Sequence, residues 1–591
     1  MKNKSDAPKR DRAAKPAVES TEKKLHKPRK EKGPQFKPFW ESDPAPTEES
    51  KTDRRKQSKP TAPAARKPAP KSDRPGDGET PGEYSRTGEA ARKEQWATAR
   101  PERQKSAAQG SAARPARGAT ERGAATKQER PGREERQPLL RSGQVIELRI
   151  SSTNDEGFGV AMHEGTRVLV AGGIPGEVLV TKITYVGRRE AFAKTIKCVK
   201  ASPDRNPAAA CNMGKACDGC ALMQMRYPAQ LSWKTALVTR QLRKYPSLSE
   251  VKVHDTVGSP KELNYRNTAK LVVAGKHTDP VIGIYRRNTH DVLEITDCPL
   301  HHPLINKVVK AARLGIKKGK VQIYNPKSEM GLLRYLVVRV AEPSEKVMVV
   351  LVTTEQGYNE MHHLAKFIQQ AVPEVAVVAQ NINNSTGNVI FGHKDRAITK
   401  MQNLKAYVGD KSFHLSPHSF FQVNSGAARI IYEKVRELAN LNGTERVIDL
   451  YCGIGGISLF LADRAREVVG IEFVEAAVAD ATLNAALNLA ANCRFEAGDA
   501  LHLVDEIGEE GGADLIVLNP PRKGCDEKVL KSVAAIQPPR IIYVSCSPET
   551  LARDLDILSR LGYRTVEVQP VDMFPQTIHV EDVALLERVA G

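Results

Sequence analysis

The sequence predicts a multidomain α/β protein: a disordered basic tail over residues 1–137, a small OB-like β-barrel over 138–200, a central α+β domain over 201–415, and a C-terminal Rossmann-like, doubly wound domain over 416–591. Three observations predict it. At 591 residues the chain exceeds what one hydrophobic core organises, since cores stop growing at roughly 250–300 residues. Apolar residues are scarce before Leu139. Beyond it their spacing alternates in twos, then becomes mixed, and after Phe420 switches to helices alternating with buried strands.

Residues 1–137 carry 35 Lys plus Arg against 21 Asp plus Glu, a surplus of 14 out of the net +20 of the chain. They contain no isoleucine and almost no leucine, so no buried apolar surface offsets the entropy of ordering them. The segment is expected to be disordered. Such a polycation adds salt-dependent, sequence-independent affinity for a phosphate backbone, and a merely solubilising tail accounts for the same composition equally well.

VIELRI (Val145–Ile150), TRVLVA (Thr166–Ala171) and EVLVTKITYV (Glu177–Val186) alternate apolar with polar residues, and glycine-rich turns separate them. They predict a small antiparallel barrel. The central region offers strands KLVVAG, VIGIYR, LVVRVA and KVMVVLVTT, with helices at Leu304–Leu314 and Tyr358–Ala371. The C-terminal region opens with a helix over Ser425–Leu441. Strands RVIDL (446–450), EVVGIE (467–472), CRFEAG (493–498), DLIVLN (514–519) and RIIYVSC (540–546) follow, the pattern of a doubly wound parallel sheet.

No run of about 18 uncharged apolar residues occurs, and no hydrophobic stretch of a secretory signal follows Met1–Arg10. A soluble, cytoplasmic protein without membrane contact is expected. Nine cysteines are too few for a secreted disulfide scaffold, and their clustering points to metal or catalytic thiols.

DLYCGIGG (Asp449–Gly456) ends the first C-terminal strand and opens a helix, placing glycines where the backbone must turn tightly against a ligand. Glu472 closes the second strand 23 residues beyond Asp449, near the spacing at which a carboxylate receives ribose hydroxyls. A pyrophosphate site wants a third glycine that Ile457–Phe460 does not supply, whereas an S-adenosyl cofactor has no phosphate to cradle. Asp499 ends the third strand, where an acidic group suits an adenine amine. NPPR (Asn519–Arg522) follows the fourth strand. Arg522 stands where enzymes that methylate exocyclic amines place an aromatic residue, which argues against that chemistry.

YVSCSPETLARD (Tyr543–Asp554) puts Cys546 at the carboxyl end of the fifth strand, before a helix with Ser547 as N-cap and Pro548 as first residue. A thiol at a positive helix end is expected to have a lowered pKa and to act as a nucleophile; an inert buried cysteine is the plainer alternative. A thiolate added to C6 of uracil makes C5 reactive, and a base must then remove the C5 proton. FPQTIHVEDVALLERV (Phe574–Val589) offers Glu581, His579 and Asp582, and their positions alone do not choose among them.

The ordered set SFFQVN (Ser419–Asn424), DLYCGIGG, NPPR, VSCSPETLARD and FPQTIHVE resembles the TrmA and RumA type of RNA (uracil-5-)-methyltransferase, from about Leu139 to the end of the chain. The resemblance implies transfer of a methyl group from S-adenosyl-L-methionine to C5 of a uridine in RNA. It gives Cys546 the role of nucleophile and Glu581 that of base, and it places Gln422, Tyr451, Gly456, Glu472, Asp499 and Asn519 on cofactor-binding positions. The chain departs at Gly456, where relatives often carry Asn, at Asn519, where many carry Asp, and in SCSP, which replaces the commoner SCNP.

Cys211, Cys217 and Cys220 form C-x5-C-x2-C, and Cys298 lies in TDCPLHHP. Three close thiols with one distant partner suit tetrahedral zinc or a cubane iron–sulfur cluster, and spacing does not decide. In the ribosomal RNA members the pattern resembles the ligand set of a [4Fe-4S] cluster, which implies a structural or RNA-positioning cluster. Cys198, Cys452, Cys493 and Cys525 are expected to be structural. Residues 138–200 resemble a TRAM domain through the Gly157–Gly159 turn and IPGE (Ile174–Glu177). Barrel and cysteines together favour 23S rRNA over tRNA as substrate, with the enzyme a monomer. YRN (Tyr265–Asn267) and LLRYLVVR (Leu332–Arg339) offer aromatic and guanidinium groups to an RNA channel, or are solvated surface. A tRNA enzyme and a catalytically silent RNA-binding relative are the rival readings, the second opposed by the presence of both Cys546 and Glu581.

Overall fold

The structure, a computed structural model, describes residues 140–589 except 209–210, 212–216, 218, 287–288 and 388. The expected tail over 1–137 lies outside the described residues. The first elements are β1 (Val145–Arg149), β2 (Ser152–Thr153), β3 (Gly159–His163), β4 (Thr166–Ala171), β5 (Val178–Val186) and β6 (Glu190–Lys200). They form one sheet in the order β1-β5-β6-β4-β3-β2. Every pairing is antiparallel except β4 with β6, which run parallel, so the wholly antiparallel arrangement expected from the alternation is not what forms. Burial alternates along β5, where Leu179, Thr181 and Ile183 point inward. Arg205 braces the sheet by pairing with the buried Glu177.

Next come α1 (Tyr227–Leu242) and β7 (Lys252–Val253). A seven-stranded sheet follows, built from β8 (Thr268–Lys276), β9 (Asp279–Tyr285), β10 (Val292–Glu294), β11 (Leu333–Ala341), β12 (Lys346–Thr353), β13 (Val375–Ile382) and β14 (Lys394–Ala397). Its order is β10-β9-β8-β11-β12-β13-β14. One face is covered by α2 (Pro303–Gly319) and α3 (Tyr358–Ala371), whose Ile305, Val308, Leu364 and Ile368 join a core with Leu336, Val338 and Val349. Local chemistry sets the start of α2: the His302 ring accepts the Leu304 N–H and Pro303 occupies the first turn. A hairpin of β15 (Leu404–Val408) and β16 (Lys411–Leu415) leads to the last region.

That region contains α4 (Ser425–Ala439), β17 (Arg446–Leu450), α5 (Gly456–Ala462), β18 (Glu467–Glu472), α6 (Glu475–Leu487), β19 (Cys493–Ala497), α7 (Ala500–Glu509), β20 (Leu515–Leu518), α8 (Glu527–Ile536), β21 (Arg540–Ser545), α9 (Pro548–Arg560), β22 (Tyr563–Val571) and β23 (Glu581–Arg588). The sheet order is β19-β18-β17-β20-β21-β23-β22-β7. Strands β17 to β21 pair in parallel, while β23 is antiparallel to both neighbours. The order reverses between β17 and β20, and this switch point opens the crevice in which open α/β sheets bind ligands.

Two elements from before residue 416 belong to this sheet's layer. β7 pairs with β22, and Trp233, Leu237 and Leu242 of α1 share a core with Leu551, Leu555 and Leu558 of α9. The Lys234 ammonium, on α1, meets the Asp572 carboxylate at 2.5 Å, and both side chains are fully buried. Burial pushes Lys234 down and Asp572 up, and each opposes that shift in the other. Removing one member would strand the other in a low dielectric, so Lys234→Met is expected to cost about 3–5 kcal/mol. Urea denaturation of the full chain measures this, and the double variant Lys234→Met/Asp572→Leu should recover most of the loss.

Candidate active site

The carboxyl ends of β17 and β20 open a cleft whose wall includes Phe420, Gln422, Tyr432, Asp449, Tyr451, Gly456 and Asn519. The chain leaving β17 turns abruptly: Tyr451 holds φ 64°, Gly453 58° and Gly455 81°. A left-handed backbone at a bulky aromatic residue stores strain, and such strain clusters at ligand sites. Glu472, at the end of β18, is fixed across from this turn; Oε2 accepts the Gly453 N–H at 3.1 Å and Oε1 the Val474 N–H at 2.9 Å. Asp499 caps α7, accepting the Leu501 N–H at 2.9 Å. It also faces Tyr451 electrostatically, beside the cleft rather than in its wall.

Asp449 was read from sequence only as the start of a spacing. Its carboxyl is fully buried and pushed up to about 7 by burial. Oδ2 accepts the Ser458 hydroxyl at 2.6 Å, while Oδ1 has no partner among the described residues. An unpartnered carboxylate oxygen in this wall suits a ligand ammonium or hydroxyl, and with Glu472 and the polar ends of Gln422 and Asn519 the cleft fits an amino-acid-bearing nucleoside. Tyr432 was also missed. A Cβ on Gly456 would lie 2.7 Å from its hydroxyl oxygen, so a side chain at 456 would press on Tyr432.

Cys546 follows β21 directly. Ser547 caps α9 by accepting the Thr550 N–H, with Pro548 in the first turn, as its sequence predicts. In the ladder Ser545 pairs with Asp582, so the next step along both strands sets Cys546 beside Glu581. Arg522 joins them because its loop is clamped to α9: the Thr550 hydroxyl donates to the Arg522 carbonyl at 3.2 Å and Arg553 to that of Lys523 at 2.9 Å.

The expected lowering of the Cys546 pKa is not what this site produces. The thiol is pushed up to about 11, first by burial and then by the Glu581 charge, with Arg522 pulling the other way through charge and hydrogen bonding. Glu581 is raised to about 8 by burial, again opposed by Arg522. The free site therefore holds its proton on both groups near neutrality. His579 is lowered to about 4 by burial and by Arg522, Lys234 and Arg266, so it stays neutral. Asp582 is fully buried and raised by burial and by Glu581, and neither oxygen finds a partner among the described residues. Of the three candidates, Glu581 alone has a carboxyl tuned near physiological pH beside the thiol.

Cys211, Cys217, Cys220 and Cys298 come together on the central lobe. Cys220 is pushed up to about 12 by burial and then by Cys298, Cys217 and Cys211 in turn. Cys211, Cys220 and Cys298 pack with Met223, Tyr265 and Leu300. Among the described residues no group of three or more His, Cys, Asp or Glu is disposed as it stands to hold a metal ion, and no helix is long and apolar enough to cross a membrane.

Comparison with known proteins agrees with this geometry. The sequence profile of the family described as tRNA (Uracil-5-)-methyltransferase matches residues 226–589. An uncharacterized RNA methyltransferase of Geobacter sulfurreducens is 56% identical over 452 residues, 76% of this chain and 91% of the relative. One from Halalkalibacterium halodurans is 38% identical, over 76% of this chain and 98% of its own. The solved tRNA (uracil-54, C5)-methyltransferase of Pyrococcus abyssi, in complex with S-adenosyl-L-homocysteine, superposes with a TM-score of 0.59 at 28% identity, over 75% of this chain and all of that one.

Gly456→Ala should cost about 1–3 kcal/mol through overpacking against Tyr432. Calorimetric titration with S-adenosylhomocysteine should show weaker binding, and adding Tyr432→Phe should restore part of it.

Proposed function

The chain belongs to the tRNA (Uracil-5-)-methyltransferase family and is an S-adenosylmethionine-dependent RNA methyltransferase; on that premise we propose that it methylates C5 of uridine in 23S rRNA through a covalent Cys546 adduct. The observation that carries this reading is the β21–β23 register, which sets one thiol beside one buried carboxyl with one guanidinium facing both. Cys546 adds as thiolate to C6 of the uracil, and the electron pair passes to C5, which would take the methyl from the donor's sulfonium as the S–CH3 bond breaks, with S-adenosylhomocysteine as the leaving thioether. Glu581 then removes the C5 proton, the C5–C6 double bond re-forms, and the thiolate leaves. Arg522 stabilises the anionic forms of both groups. Gln422, Tyr451, Gly456, Glu472, Asp499 and Asn519, with Asp449, hold S-adenosyl-L-methionine, which supplies an electrophilic methyl on its sulfonium.

Reaching C6 and C5 together requires the base to leave its stack, so the substrate is a loop uridine or an extruded one. The N-terminal sheet supports a TRAM-like, OB-like RNA-binding module. Its outermost strands β1 and β2 are successive stretches of chain, and Ile150 and Ser151 between them bond to Glu177 and Val160 at opposite ends of the order, an arrangement that suits a closed barrel. The gathered thiols of Cys211, Cys217, Cys220 and Cys298 support a [4Fe-4S] cluster, whose iron charge would relieve their mutual repulsion and whose full ligation makes it structural. These two features favour ribosomal RNA, although the Pyrococcus abyssi enzyme acts on tRNA.

With S-adenosylmethionine and 23S rRNA transcribed with 5-fluorouridine, the wild type should form a denaturation-resistant adduct and Cys546→Ala none; an adduct with Cys546→Ala sinks the mechanism. Mapping 5-methyluridine in a deletion strain should show a site lost from 23S rRNA, and loss from tRNA alone overturns the substrate assignment. Anaerobic purification should yield iron and sulfide, where zinc without sulfide refutes the cluster.

Both reacting groups work deprotonated and both are raised, so single-turnover rates should climb with pH from about 6 to 10, with base-limited elimination levelling above about 8. Arg522 lowers both groups. Arg522→Met should therefore move the climb to higher pH by about one unit, roughly a tenfold loss below it, and an unmoved profile would exclude this role.

A further inference from the structure

The turn that delivers Glu581 to the site is anchored by residues distant in sequence. Phe574, Pro575, Gln576 and Thr577 form a tight turn in which the Thr577 N–H donates to the Phe574 carbonyl. Gln576 holds φ 73°, a conformation that favours glycine at the third turn position. Three successive carbonyls of this turn each accept a donor from residues far earlier in the chain. The Lys234 ammonium reaches that of Phe574 at 3.1 Å, the Tyr265 hydroxyl that of Pro575 at 3.0 Å, and the Leu222 N–H that of Gln576 at 3.1 Å. Gln230 bonds the Gln576 backbone and side chain, both at 2.9 Å.

Two of these three donors border the thiols. Leu222 lies two residues after Cys220, within the turn closed by Met223 N–H to the Cys220 carbonyl. Tyr265 is 2% exposed, and its ring packs in the cluster that includes Cys211, Cys220 and Cys298. Its chain neighbours bond to the other thiol loop: the Asn264 N–H donates to the Pro299 carbonyl at 2.8 Å and that of Arg266 to Leu300 at 2.9 Å. The ring of Tyr265 therefore rests on the thiols while its hydroxyl holds the turn leading to Glu581.

We infer that Tyr265 is a positioning residue that couples the four-thiol pocket to the placement of Glu581. The inference rests on the proposed role of Glu581 as base. Tyr265 never meets the uracil; it fixes the turn from which β23 begins, and so the height of the carboxyl against the C5 proton. The step it governs is elimination, not thiolate addition.

The full-length protein tests this with two readouts. Tyr265→Phe keeps the ring against the thiols and deletes only the donor, and one lost hydrogen bond corresponds to roughly a 3- to 10-fold effect. With ordinary uridine-containing 23S rRNA, elimination should slow by that factor, so that the methylated covalent adduct accumulates while its rate of formation stays as in wild type. Amide hydrogen exchange over residues 573–580 should accelerate by a similar factor, and Cys298→Ser should accelerate exchange in the same segment. A general loss of stability would lower folded protein and adduct formation together and would leave this partition unchanged. Wild-type exchange and elimination in Tyr265→Phe overturn the tether, even where Cys298→Ser fails to fold. Accelerated exchange in Tyr265→Phe beside unaltered exchange in folded Cys298→Ser overturns the link to the thiols. If wild type gives no adduct with 5-fluorouridine RNA, the functional reading fails separately, and exchange alone decides the tether.

Discussion

The pairing of two neighbouring strands, β21 and β23, is the constraint on which the site depends. β21 ends a parallel run and β23 returns against it, so the Cys546 thiol at the end of one lands beside the Glu581 carboxyl at the start of the other. Side chains alternate along a strand, so a slip of one residue would send Glu581 to the opposite face of the sheet and bring Asp582 to the thiol. Buried Val583, Ala584, Leu585 and Leu586 pin that register through the two cores above and below the sheet. The same packing that stabilises the domain thereby fixes the catalytic geometry.

That placement has an electrostatic consequence. Burial disfavours ionisation of both the thiol and the carboxyl, and the Glu581 charge adds to the penalty on the thiol. Arg522 is the counterweight, yet it does not win: the thiol stands at about 11 and the carboxyl at about 8. A site kept neutral in the absence of RNA does not present a free thiolate to solvent oxidants. A base with pKa near the working pH, in turn, removes a proton and gives it up again with little penalty in either direction.

Much of the fold was legible in the sequence because a buried parallel strand is a short, continuous apolar run. β17 and β18 coincide with RVIDL and EVVGIE, and α3 with its expected span. α1 and β7 were not legible as parts of the C-terminal layer, since no local signal tells a helix which sheet it will cover. No strand was read from the sequence over Glu190–Lys200, where β6 forms. The helix-end position of Cys546 was read correctly, but the pKa direction drawn from it was not, because the burial and Glu581 charge that reverse it come from segments distant in sequence. Asp449, Tyr432 and Arg522 escaped for the same reason. Their residue types were visible, and only folding brings an unpartnered oxygen, a hydroxyl under Gly456 or a guanidinium beside a thiol into place.

A turn with a left-handed Gln576 is a poor local choice, costing on the order of 1 kcal/mol or more, and natural chains keep such conformations where surroundings over-determine them. Here the surroundings are Gln230 and Lys234 of α1, which packs in the layer of α9, and Leu222 and Tyr265, which border the cysteines. The position of Glu581 is thus set by tertiary contacts instead of by its own sequence. These contacts tie the turn before Glu581 to two separate stretches of chain, α1 and the segments beside the cysteines. Glycine at 576 would relax the turn locally and loosen this connection. The strained glutamine keeps it, because its side-chain amide is one of the groups that Gln230 binds.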